Sequence, residues 1–331
     1  MCGLISTPAA PIRAILQQRT TSVGDRTGPV GAASEGDLVS ESLTVSMIGL
    51  GAMGSALASA ILETGHELAV WNRSSEKCRP LAAEGASVAS SVGDAVSRSD
   101  VVVVCVRGYD VAATLFDDPA IAASLAGKAL IQLGNGVPTE VADAADWFTA
   151  HGAAYLDGSI MAFPDAVGTA DCQLLISGDP SAFAQCESIL GAIGGDIRYL
   201  GADPTASAVI NTSALAFVYV TAHAFVSAAA MCDTSGAPID LLADVIGKFT
   251  TQMPAVFGEY VAMITARSYE SRNLRLASGA EALQAITEFG RTSGVNTDLF
   301  ESVLRTLNAS AAAGHGPNLA AVFETVKRQQ D

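Results

Sequence analysis

The chain has 331 residues, half of them hydrophobic and 16% charged, which is enough apolar material for two domains with buried cores. Its 18 Lys and Arg against 34 Asp and Glu leave a formal net charge of −16, which repels phosphate backbones and anionic bilayers and disfavours nucleic-acid binding or a polybasic membrane dock. The six cysteines show neither C-x-x-C spacing nor histidines at metal-ligand spacing, so they point to no metal and fit reduced thiols in a cytoplasm.

Residues 1–42 are rich in Gly, Ser, Thr and Pro, lack helical periodicity and read as a disordered tail. Arg13 and Arg19, with no acid before Asp25, give a weaker reading as an organellar transit peptide. Thr44-Val45-Ser46-Met47-Ile48 is a short apolar run ending at Gly49, the first expected strand. Residues 53–63 place Ala56, Leu57, Ala60 and Ile61 on one helical stripe, and Gly65 follows as a stop. A second strand is expected over 68–71, then a helix over 75–84 ending at Gly85. Asp100 introduces the run Val101 to Val106, which suits a strand covered on both faces. Further strands are expected over 129–133, 153–156 and 173–176, with a helix over 139–150. Strands alternating with helices predict a parallel sheet with crossover helices.

After Pro204 the β-branched runs give way to Ala- and Leu-rich segments with helical spacing. Residues 204–232 form the longest uncharged stretch, long enough by count to span a bilayer. Asn211, Thr212, Ser213, Thr221, His223 and Ser227 interrupt it and no basic flanks accompany it, so it reads as a buried helix of a soluble protein, with His223 a buried, hydrogen-bonded residue. Pro238 is expected in a first helical turn, Pro254 as an interruption of the next helix, and Thr297 or Asp298 as a cap. The expected organisation is an α/β Rossmann domain over 43–203 and an all-α domain over 204–331, joined by the long helix.

Gly49-Leu50-Gly51-Ala52-Met53-Gly54 has G-x-G-x-x-G spacing after a predicted strand and at the opening of a predicted helix. In that setting Gly49 permits the tight turn, Gly51 the approach of a pyrophosphate and Gly54 the packing of helix on strand. The helix N-terminus offers free amides to the anion. A site for NAD would carry Asp or Glu at the end of the second strand, to bond the ribose hydroxyls. Here that strand ends Val70-Trp71-Asn72-Arg73-Ser74, and Arg73, Lys77 and Arg79 form a local positive cluster. A guanidinium in place of the carboxylate suits the 2′-phosphate of NADPH.

These residues, with Gly108-Tyr109-Asp110, the run Tyr155 to Pro164 containing D-G-x-I-M-A from Asp157, and Gly168-Thr169, resemble the imine reductase and reductive aminase family within the β-hydroxyacid dehydrogenase superfamily. The resemblance extends from about Thr44 to Lys327. It implies a Rossmann domain, an interdomain helix and a helical C-terminal domain like that of 6-phosphogluconate dehydrogenase, exchanged within a homodimer. It also implies NADPH-dependent reduction of a cyclic imine or iminium ion, or of a ketone plus an amine. Cofactor-binding positions would include Cys105, Val106 and Asn135 beside the glycine loop and Asn72, Arg73, Ser74 and Lys77.

Superfamily members acting on hydroxy acids carry a Lys on the interdomain helix, where this chain has Asn211, and an Asn four residues later, where it has Leu215. The implied catalytic pair is Asn211 and Tyr219, eight residues apart and so about 80° apart around one helix. Asp157 is expected to end a strand and cap the following turn. The alternatives are a β-hydroxyacid-type dehydrogenase, disfavoured by the missing Lys, and a non-catalytic NADPH-binding sensor.

Overall fold

The computed structural model describes residues 43–270 and 273–327, so the tail expected over 1–42 lies outside the described residues. Strand and crossover helix alternate in β1 (Thr44–Ile48), α1 (Ala52–Glu63), β2 (Glu67–Trp71), α2 (Arg79–Glu84), β3 (Ser87–Val88), α3 (Val92–Ser97) and β4 (Val101–Val104). The series continues with α4 (Tyr109–Phe116), α5 (Pro119–Ala123), β5 (Ala129–Gln132), α6 (Pro138–Ala150) and β6 (Ala154–Ile160). β7 (Gln173–Gly178) returns antiparallel to β6; α7 (Pro180–Gln185) and α8 (Glu187–Ile193) then lead to β8 (Asp196–Tyr199), parallel to β7. The strand order is β3-β2-β1-β4-β5-β6-β7-β8, and its direction reverses between β1 and β4. Ligands of such sheets bind outside the carboxyl ends of the strands at that reversal.

All four valines of β4 are buried, because both sheet faces are covered. Leu57 and Ile61 of α1 and Ile189 and Ile193 of α8 pack one face; Val92 and Val96 of α3, Phe116 of α4 and Phe148 of α6 pack the other. The run through Val106 is strand only as far as Val104, because Cys105 and Val106 turn over the glycine loop. The helix expected over 75–84 is a 3-10 turn (Ser75–Cys78) followed by α2, whose opening carries Pro80.

The remainder is helical: α9 (Ala206–Thr234), α10 (Ile239–Thr250), α11 (Met253–Ala266), α12 (Leu276–Thr292), α13 (Asp298–Ala313) and α14 (Val322–Val326). Pro238 is the N-cap of α10 rather than part of its first turn. Pro254 opens α11 instead of interrupting a helix, since a first-turn residue has no intrahelical use for an N–H. Thr297 occupies the N-cap of α13, though its hydroxyl bonds Glu301 rather than a backbone amide.

The sequence expectation fails for α9. Only Ser207, Ala208, Asn211 and Met231 are buried; Phe217, Val218, Val220 and Val226 are exposed, and so is His223. α9 covers β6 and β7 with its first turns, and beyond them its apolar flanks stay largely exposed among the described residues, Phe217 meeting only the edge of Phe257. α10 and α11 likewise have no buried residue, and Leu241, Val245, Phe249 and Val261 are exposed.

Candidate cofactor and substrate site

The loop between β1 and α1 is shaped by contacts that only glycine permits. Gly49 has φ +99°, and a Cβ there would lie 2.3 Å from the Cys105 carbonyl oxygen. A Cβ on Gly54 would lie 2.1 Å from the Gly49 oxygen, so α1 could not approach the strand. Gly51 differs: its backbone is extended, and nothing lies within 4 Å of its Cβ position. Neither conformation nor internal packing requires glycine there. The position is open, and beside it α1 has an N-terminus with no capping side chain and no acid in the first turn, an arrangement that can receive an anion.

Leu50 and Met53 direct their side chains into or against the core, and Ala52 is exposed at the helix opening. The Asn72 side-chain oxygen accepts from the Leu50 amide at 2.9 Å, and its Nδ2 donates to the Ser74 carbonyl at 3.0 Å. Asn72 therefore ties the glycine loop to the turn after β2. Arg73 and Lys77 are exposed and form no ion pair with any described residue. On the other flank, the Val106 Cγ1 would lie 2.8 Å from a Gly49 Cβ, and Cys105 is half-buried with its thiol pushed up to about 11 by burial. Asn135 is exposed in the loop after β5, between Gly134 and Gly136. Glycine loop, positive cluster and these flanking turns gather at one edge of the sheet, around the strand-order reversal.

Residues 44–201 match the NAD binding domain of 6-phosphogluconate dehydrogenase, and residues 203–328 match the C-terminal domain of NADPH-dependent reductive aminase-like proteins. An imine reductase from Myxococcus stipitatus, solved in complex with NADP+, is 30% identical with a TM-score of 0.81, the match covering 86% of this chain and 100% of that one. The chain belongs to the imine reductase and reductive aminase family. An NADPH-dependent reductive aminase of Aspergillus oryzae is 29% identical over 289 residues, 86% of this chain and 97% of that protein. A reductive aminase from Aspergillus terreus, solved with NADPH and ethyl-5-oxohexanoate, is 25% identical with a TM-score of 0.79, over 86% of this chain and 100% of that one.

In this family member the implied catalytic pair divides. Asn211 is 5% exposed, one helical turn after Ser207, and its amide has no hydrogen-bond partner among the described residues. Its amide atoms are not among the polar groups sealed from solvent without a partner, so they remain open to water or a ligand. Tyr219 is 72% exposed, two turns further along α9. The structure places it on the length of helix that leaves the sheet, away from the buried turns that hold Asn211.

Asp157 departs from its expected place. It lies within β6, not at its end, and caps no turn. It is 1% exposed and accepts hydrogen bonds from the Tyr109 hydroxyl on one carboxyl oxygen and from the Ser207 hydroxyl on the other. Burial pushes its carboxyl up to about 6, against the lowering effect of those two bonds. The partners stand 48 and 50 residues away in sequence, so no local pattern marks them; the only sequence signal was that Tyr109 and Asp157 fall in two of the family motifs.

Proposed function

We propose that the chain is an NADPH-dependent reductase of C=N bonds, acting on cyclic imines or iminium ions, or on a ketone plus an amine. The observation that carries this reading is the pairing of an open glycine cradle at Gly51 with Arg73, in place of a carboxylate, after β2. Bound NADPH supplies the hydride that adds to the C=N carbon. The α1 amides with Gly51 and Ala52 hold the pyrophosphate, and Arg73 with Lys77 and Ser74 holds the 2′-phosphate. Cys105, Val106 and Asn135 wall the cofactor beside the loop.

Asn211 hydrogen-bonds the substrate nitrogen or an ordered water through an amide that no described residue pairs. An amide does not release and recover a proton near neutral pH, so the iminium arrives protonated or receives its proton by way of Tyr219. No lysine stands on α9, which removes the cation that hydroxy-acid chemistry in this superfamily employs.

The same reading makes the enzyme a homodimer. The flanks of α9, α10 and α11 leave large apolar side chains exposed, Phe217, Phe249 and Val261 among them, and a second copy is the cover that fits the polar interruptions of α9 better than lipid does. Tyr219 then enters a site only when that copy is in place. The five described cysteines are free, which is compatible with a cytoplasmic location.

The assay compares NADPH oxidation with a cyclic imine against reduction of NADP+ with a β-hydroxy acid. Turnover in the first arm only is expected. Turnover in the second arm only assigns a hydroxyacid dehydrogenase, and tight NADPH binding with no turnover in either assigns a sensor.

A further inference from the structure

A chain of buried polar groups crosses from the Rossmann sheet to the start of α9. Asp157 lies in one row with Ile48, Val104 and Gln132, level with the carboxyl ends of the parallel strands and so with the glycine loop. One of its oxygens accepts from Tyr109, whose ring abuts the loop after β5: a Cβ on Gly136 would lie 2.3 Å from it. The other accepts from Ser207 in the first turn of α9. Ser207 Oγ and Ser177 Oγ are 2.8 Å apart, the Ser207 amide donates to Ser177 Oγ at 3.0 Å, and Ser177 Oγ lies 2.9 Å from the Pro204 carbonyl oxygen. Asn211 stands one helical turn beyond Ser207, four residues on, where side chains share a face.

We propose that Asp157 is a positioning residue: through Ser207 it fixes the entry turns of α9 against the sheet, and with them Asn211, and it releases that hold when it takes up a proton. The proposal rests on the reading of Asn211 as a substrate contact. With Asp157 ionised, Tyr109 and Ser207 both donate to it through charge-assisted bonds, and its charge faces the N-terminus of a 29-residue helix. When a proton from solvent binds the oxygen facing Ser207, that O–H donates to Ser207 Oγ, Ser207 donates to Ser177 Oγ, and Ser177 donates to the Pro204 carbonyl. Ser207 and Ser177 each keep a partner in both states, so the carboxyl exchanges its proton without stranding either of them. What changes is the contact to α9, from a charge-assisted bond to a neutral one.

The groups facing Asp157 are Tyr109 from α4, Tyr155 from β6, Gln132 from β5, Ser177 from β7 and Ser207 from α9. α6 turns Val141, Ala145 and Phe148 inward, and α7 turns Ala182 inward. Only the two tyrosines titrate, and burial raises both far beyond the ordinary tyrosine range. A step near pH 6 is therefore expected from Asp157 and not from its neighbours.

The test follows kcat from about pH 5 to 8 in the wild type, Asp157→Asn and Ser207→Ala, with hydrogen exchange of residues 204–215 read alongside and corrected for intrinsic rates. The folded state binds the Asp157 proton more tightly, so overall stability rises as pH falls; against that background the wild type is expected to lose kcat and the protection of residues 204–215 relative to β4 together as pH falls through about 6. Asp157→Asn should lower kcat by roughly tenfold, abolish both pH steps and leave the Kd of NADPH within about twofold. Ser207→Ala removes one donor from the carboxylate and should move both steps up by about one pH unit. Should Asp157→Asn not fold, Ser207→Ala decides alone. An unshifted midpoint in Ser207→Ala, or wild-type steps retained in Asp157→Asn, overturns the proposal. Asn211→Ala with undiminished kcat would instead remove the reading of Asn211, while the exchange data still report on the latch.

Discussion

Arg73 and Gly51 are side-chain choices that the chain's own packing does not explain, and each yields a prediction at that scale. Arg73 is exposed and pairs with no described acid, so removing it costs the fold nothing evident. Arg73→Ala is expected to weaken NADPH binding by about 1.5 to 3 kcal/mol, the worth of one charge-assisted phosphate contact, and to leave NADH nearly unchanged. Titration of both cofactors checks this, and an equal loss for the two would remove the phosphate assignment. Gly51→Ala should keep the thermal midpoint within a degree or two, because its Cβ meets nothing within 4 Å, yet weaken NADPH by roughly tenfold or more. Gly54→Ala should do the reverse first, losing stability by several kcal/mol as its Cβ is driven against the Gly49 oxygen at 2.1 Å. Differential scanning calorimetry with and without NADPH separates the two substitutions.

Among the elements, β6 and the first turns of α9 matter most, because a buried carboxyl joins them. Asp157 titrates near 6 when folded and at an ordinary 3.8 when not, so the folded state binds its proton more tightly. That contribution is full below about pH 3.8 and is lost as pH rises through 6, a change of about 3 kcal/mol. Asp157→Asn lacks the titration, so its stability relative to the wild type should rise by about that amount between acid and neutral pH. Urea unfolding at several pH values measures it, and a flat difference would show that the carboxyl does not titrate in this range. Elements with strong local patterns were legible in the sequence: β1, the glycine loop and α1 follow from an apolar run, three glycines and a helical stripe. β3 was not, since Ser87 and Val88 are a two-residue exposed strand with no periodicity to read. β8 reads Asp-Ile-Arg-Tyr, an edge strand too polar to stand out. Asp157 was misplaced because its partners are brought to it by tertiary folding alone.

For the whole molecule, the misreading of α9 has the same root at larger scale. Lack of charge over 204–232 signals burial, but it does not say whose atoms do the burying. In the chain alone Phe217, Val220, Leu241, Phe249 and Val261 are exposed, and we expect a homodimer at every concentration at which the enzyme is active. Light scattering coupled to size exclusion checks this, and a fully active monomer would count against it. A further consequence attaches to Tyr219, which is 72% exposed in its own chain while Asn211, earlier on the same helix, is 5% exposed. If Tyr219 serves its partner's cofactor, two dead enzymes can repair one another. Chains crippled at Arg73 and Gly51, mixed and co-folded with chains carrying Tyr219→Phe, would assemble hybrids in which one site inherits both defects and the other neither. With equal amounts and random pairing, about a quarter of all sites would be sound, so activity should reappear on mixing two preparations that each lack it.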